Sequence, residues 1–425
     1  MTSPSPIEAI ATAIFLLALI HTFAASRFEH LAHTQPKHAG LWHLLGEVEV
    51  VFGVWAAVLI LVMALVQTPD QAVSYLDSRQ YAEPLLVFVL MVIAASRPIV
   101  EATGAINNAI ARLLPLHPSI ARFVVVMSVV PLLGSFITEP AAMTVAALLL
   151  REQFLRHELP VRLKYAILGV LFVNISIGGT LTPFAAPPIL MVATKWDWNM
   201  AFMIANFGWR ATLAVLINAI ILTLFCYKHL QKLPLQPNTS DQEVRGKRIP
   251  TIVTMIHVAF LTAAVVFHHY PVVFLGLFLF FMGYTTAYPQ YQSRLLLKEA
   301  LLVAFFLAGL VVHGGLQGWW LQDLLTGLSP TVLFFSAASL TAITDNAAIT
   351  YLGSLVEGTD AAFRYALVAG AITGGGLTVI ANAPNPAGYA LLKECFPEKS
   401  VNALGLLLAA LLPTLTAVFV FWIIP

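Results

Sequence analysis

Apolar residues run through the chain in long stretches of helical-span length, broken by short polar segments. Ten stretches approach the ~20 residues that an α-helix needs to cross a bilayer. They are 7–26, 44–66, 83–103, 165–193, 200–227, 251–268, 272–288, 295–313, 363–392 and 401–424. Two more, 119–150 and 330–356, are too long for one crossing and too short for two comfortable ones, and their centres are rich in Pro, Gly, Ser and Thr. The pattern predicts helical hairpins that re-enter the membrane, which irregular backbone tolerates only where protein or a water-filled cavity surrounds the tip. The spans 165–193 and 363–392 are interrupted by glycine and proline, in NISIGGTLTPFAAPP (174–188) and GAITGGGLTVIANAPNP (370–386).

The two hairpins and the two broken spans repeat each other. Thr138-Glu139-Pro140-Ala141-Ala142 aligns with Thr344-Asp345-Asn346-Ala347-Ala348, and Thr144 then falls on Thr350. Further on, Gly178-Gly179 falls on Gly374-Gly375, Leu181-Thr182 on Leu377-Thr378 and Pro188 on Pro384. If the hairpins re-enter, most of the 22 Lys and Arg residues lie on one side, as the positive-inside rule asks. That sidedness does not fix the hairpins' depth. The halves then run antiparallel, which predicts an N-terminal inverted repeat at 1–227, a cytoplasmic linker at 228–250 and a C-terminal inverted repeat at 251–425. Inverted repeats whose discontinuous helices meet at the midplane are a common build of secondary transporters. The expected fold is therefore an all-α polytopic membrane protein. It has two inverted repeats, about ten transmembrane helices, two re-entrant hairpins and two discontinuous helices.

Composition narrows the class. The chain of 425 residues is 59% hydrophobic and 10% charged, more apolar surface than a soluble core of this length buries. The expected partner is the lipid bilayer. A formal net charge of +1 gives no pointer to nucleic acid, and none is expected. An acid and no basic residue precede the first apolar run, so no signal peptide is expected. Cys226 and Cys395 are too few and too far apart for a disulfide framework or a thiolate metal site.

The candidate chemistry lies at the tips. A carboxylate at membrane depth costs ~2.5–3.5 kcal/mol on insertion scales, which marks Glu139 and Asp345 as functional candidates. The competing structural reading is helix capping, with Thr138 or Thr344 as N-cap and the acid in the first turn. Two acids at matching points of an inverted repeat instead suggest carboxylates that converge and hold either protons or a hard cation. Oxygen ligands for such a cation are offered by Thr138, Thr182, Thr344, Thr378, Asn346, Asn382, Asn385 and Asn174, the last opposite Gly370 in the repeat. The expected ion is Na+ at Asp345, Asn346 and Asn382. Arg210 lies mid-span as a charge partner for a tip acid or an anion. Arg97 and Glu101 have the spacing of an i,i+4 ion pair. Trp196, Trp198, Trp319 and Trp320 fall at outer edges, as in an interfacial belt.

The TDNAA tip and the GGxLTxxANAPNP break resemble those of the ion transporter superfamily. That group includes NhaD-type sodium/proton antiporters, arsenite exporters and sodium-coupled dicarboxylate symporters. The chain is most similar to bacterial sodium/proton antiporters within it. The resemblance implies cation sites built from hairpin tips and broken helices, a homodimer and a multi-pass place in a bacterial inner membrane. No cofactor is implied beyond the transported Na+ and H+. The first half departs from the pattern, since TEP and Ala-Ala-Pro-Pro lack its asparagines.

Three readings follow. A sodium/proton antiporter needs titratable carboxylates, which the chain supplies. A sodium-coupled anion (dicarboxylate-like) symporter or anion exporter needs a cationic centre, for which Arg210 alone argues. An intramembrane hydrolase could use paired acids on water, but it does not need mirrored broken helices.

Overall fold

The computed structural model describes residues 4–233 and 248–424, which are helical with no strand among them. Five helices are long and apolar enough to cross a membrane, seven if each of two bent pairs counts as one crossing. Shorter apolar helices, among them Thr251–Val266 and Pro271–Ala287, accompany them. The protein is a multi-pass membrane protein. The expected linker at 228–250 lies mostly outside the described residues, and its first residues belong to the helix Trp209–Leu230.

Side-chain caps and prolines set many helix starts. Ser5 and Glu8 form a reciprocal capping box ahead of Pro6. Ser329, Asp360 and Asn402 each accept an amide hydrogen bond from the first turn they open. The third expected span, 83–103, departs from a straight crossing. It is two helices, Ala82–Ala94 and Arg97–Leu113, bent by 67°. Pro98 brings no amide hydrogen to continue the first helix, and Ser96 is extended ahead of it. Arg97 at the new start pairs with Glu101 at 2.6 Å, as the spacing predicted.

The stretch 119–150 folds into a helix pair, with a leading limb Pro118–Ile137 and a trailing limb Glu139–Leu150. The leading limb alone is long enough to cross a membrane. The stretch 330–356 forms a second pair, Pro330–Thr341 and Asn346–Ser354, with shorter limbs. Each interrupted span is a broken helix. The first has a leading segment Val161–Gly178 and a trailing segment Pro187–Ala193. The second has Ala361–Gly374 and Asn385–Leu392.

Their packing is reciprocal. Each leading limb lies on the leading segment of the broken helix in its own half. Each trailing limb packs on the trailing segment from the other half. Glycines allow the close approach within each half. A Cβ on Gly178 would sit 2.7 Å from the Pro131 carbonyl oxygen, and one on Gly374 would strike the Ala338 carbonyl. Threonines staple the same surfaces: Thr182 Oγ1 donates to the Ser135 carbonyl at 2.5 Å and Thr378 Oγ1 to the Ala342 carbonyl at 2.8 Å. The two broken helices meet where Ser176 Oγ donates to the Ile372 carbonyl at 2.7 Å. In the register that sets Gly178 on Gly374, Ser176 falls on Ile372.

Candidate functional site

Glu139 is fully buried at the first position of its trailing limb. One carboxylate oxygen, Oε2, accepts from Asn382 Nδ2 at 3.0 Å. The other, Oε1, has no hydrogen-bond partner, and Gly179 backs it so closely that a Cβ there would collide with it. Asn382 is extended in the break of the second broken helix, and its buried Oδ1 is also without a partner. One half thus supplies the acid and the other its amide.

Thr138 forms the whole link between the limbs, at φ 74° and ψ 149°. A β-branched residue is rarely found there, and such strain costs about 1–3 kcal/mol and collects at functional sites. Its Oγ1 is buried without a partner. Beside it is a cavity of about 10 Å³, room for about one water, walled by Leu90, Met91 and Phe184. Thr138→Gly should therefore raise thermal stability by about 1 kcal/mol while slowing transport. Unfolding in detergent and flux in liposomes measure the two effects.

The second tip differs. The expected cap at Thr344 is absent, because four residues, 342–345, link these limbs and set the cap one place later. Thr344 Oγ1 turns back to the Leu340 carbonyl at 2.8 Å. Asp345 is the N-cap, and its Oδ1 accepts from the Ala347 amide at 2.7 Å and the Ala348 amide at 3.3 Å. At the first tip Thr138 holds the cap position but makes no side-chain bond. The side chain of Asn346, fully buried, has no hydrogen-bond partner and lies close to Gly375. Asn385 Nδ2 spans the break to the carbonyls of Gly375 at 2.8 Å and Thr378 at 2.9 Å, leaving its Oδ1 unpartnered.

Other expected residues sit elsewhere. Asn174 donates to the carbonyls of Met127 and Val215 and accepts from Asn218 Nδ2, a structural network away from the tips. Arg210 donates to the Asn206 carbonyl and lies over the rings of Trp209 and Tyr365. It makes no ion pair among the described residues. Trp196 and Trp198 are buried against each other and Phe202, not turned outward as a belt. Sequence reading missed Gly179, Ser135 and Ser176. The paired glycines of the repeat pointed to Gly179, whereas Ser176 is hidden opposite an isoleucine.

No curated protein matches the chain. Residues 6–424 match the family model described as "Putative Na+/H+ antiporter". A chain matched over nearly its whole length by that model, and helical throughout with several membrane-length apolar spans, is a transporter and not an enzyme, and it belongs to this antiporter family.

Proposed function

We propose that the protein is a secondary active transporter that exchanges Na+ for H+ at carboxylates near the bilayer midplane. The observation that carries this reading is Glu139 itself: a fully buried carboxylate with one oxygen unpartnered, bonded through the other to Asn382, whose own side-chain oxygen is unpartnered. An uncompensated charge in such a place is expensive. Either a proton or a bound cation removes the cost, and competition between them for one carboxylate couples their fluxes. Asp345 and Asn346 stand at the second tip, and Asn385, Thr182 and Thr378 make the hydrogen bonds that fix the breaks.

The reciprocal limb packing and the Ser176–Ile372 contact support reading the two halves as inverted repeats with re-entrant tips. That reading puts the site at the pseudo-symmetry axis and segment 228–250 on the cytoplasmic face. A bacterial inner-membrane homodimer follows from the resemblance in the tips. The alternative of a sodium-coupled anion symporter or exporter rests on Arg210, which is already engaged by a carbonyl and two aromatic rings.

The test is purified protein in liposomes with a trapped pH dye. An inward sodium gradient should drive protons out, lithium should substitute, and potassium should not. Proton movement that ignores sodium and lithium but follows an added organic or inorganic anion would replace this reading with the anion-coupled one.

A further inference from the structure

The two breaks are braced by different means. In the second, Asn385 spans the gap from within the broken helix, with Nδ2 donating to the carbonyls of Gly375 and Thr378. The register that sets Gly178 on Gly374 puts Ile189 opposite Asn385, and a fully buried isoleucine has no amide to give. The first break is instead braced from outside, by Ser135 in the last turn of the leading limb Pro118–Ile137. Ser135 is fully buried, and its hydroxyl works in both directions. Oγ donates to the Gly178 carbonyl at 2.7 Å and accepts from the Leu181 amide at 2.9 Å. Its own carbonyl, left over at the helix end, accepts from Thr182 Oγ1 at 2.5 Å. One residue thus answers three groups at a place where regular helix bonding stops.

The turn that these bonds pin contains Gly179. That glycine backs Oε1 of Glu139 so closely that no Cβ fits between them. At the second tip the position matching Ser135 is Thr341, equally buried, and its Oγ1 has no hydrogen-bond partner among the described residues. A hydroxyl at this place in the repeat therefore braces a break only on the side of Glu139.

We propose that Ser135 is a positioning residue of the exchange: by pinning the turn around Gly179 it fixes the wall against Glu139, and so sets the affinity for the sodium ion. This deepens the antiporter reading above and rests on it. The Ser135 hydroxyl is spent on backbone groups, so it acts through the turn and not on the cation. Without it, the Gly178 carbonyl and the Leu181 amide lose a partner, and the turn moves to find others. A wall that must be ordered when the ion arrives subtracts that cost from binding.

The experiment uses the full chain in liposomes with a trapped pH dye and reads the sodium KM and the maximal rate separately. Ser135→Ala should raise KM on the order of 10-fold. Its maximal rate per folded protein should stay within about twofold of the parent. Ser135→Cys keeps a weak donor and acceptor in the same place, and its KM should fall between those two. Thr341→Val removes the unpartnered hydroxyl at the matching position and keeps the shape, so its KM should equal the parent's. A bond that served the fold alone would lower the melting temperature and the amount of active protein, which moves the maximal rate and not KM. An unchanged KM in Ser135→Ala, or in Ser135→Cys where the alanine protein does not fold, would overturn the proposal and leave antiport intact. An equal rise in Thr341→Val would do the same. Absence of sodium-driven exchange by the parent protein would overturn the antiporter reading and this one together.

Discussion

Glu139→Gln is expected to reduce sodium-driven proton exchange to the level of protein-free liposomes, with no loss of stability. The substitution keeps the volume and keeps an oxygen that can accept from Asn382 Nδ2, the bond seen at 3.0 Å. What it removes is the site for the proton and the negative charge for the cation. A buried carboxylate with an unpartnered oxygen is a cost to the fold, so the melting temperature should be equal or higher. Loss of transport with unchanged or raised stability separates a working residue from a structural one. Asn382→Ala should be milder, because the acid remains. If Glu139→Gln melts well below the parent protein, Glu139 is chiefly structural and the proposed role is wrong.

Gly374→Ala should destabilise the protein by about 1–3 kcal/mol. The new Cβ would meet the Ala338 carbonyl on the neighbouring limb, and a backbone atom, unlike a flexible side chain, has no easy way to yield. Gly178→Ala presses on the Pro131 carbonyl in the same way, at 2.7 Å, and should behave alike. Gly276 and Gly283 are the controls. Both lie in the helix Pro271–Ala287, where an added methyl would have nothing within 4 Å, so alanine there should be neutral or stabilising by up to ~1 kcal/mol through helix propensity alone. Thermal unfolding of the four variants in one detergent decides the matter. Equal effects at Gly374 and Gly276 would mean that the limbs and broken helices pack less tightly than described.

Much of this architecture is legible in the residues. Apolar run lengths locate the long apolar helices but not the short ones Pro69–Asp77 and Gly318–Thr326, and the glycine and proline clusters at 178–188 and 374–386 mark both breaks. The matching of TEPAA to TDNAA locates both acids, and Asn382 can be named because it brings a side-chain oxygen into the second break. The rest depends on partners far apart in the chain or on single-residue geometry. Nothing local distinguishes a tip linked by one residue from a tip linked by four, and that difference moves the cap from Thr344 to Asp345. Asn174 has the look of a ligand beside Gly178, but Asn218, on a helix that follows later, takes up its oxygen. Trp196 and Trp198 have the composition of a membrane belt, but tertiary packing with Phe202 turns them inward. The bend at Ser96 is written in Arg97-Pro98 and masked by the apolar run around it.

The central claim is that a cation and a proton compete for Glu139, and proton release measures this most directly. Sodium chloride added to purified protein in weakly buffered detergent solution should release one proton per chain, choline chloride should release none, and Glu139→Gln should be silent to both. Release of the same size from Glu139→Gln, or sodium binding by the parent protein with no proton released, would contradict the account.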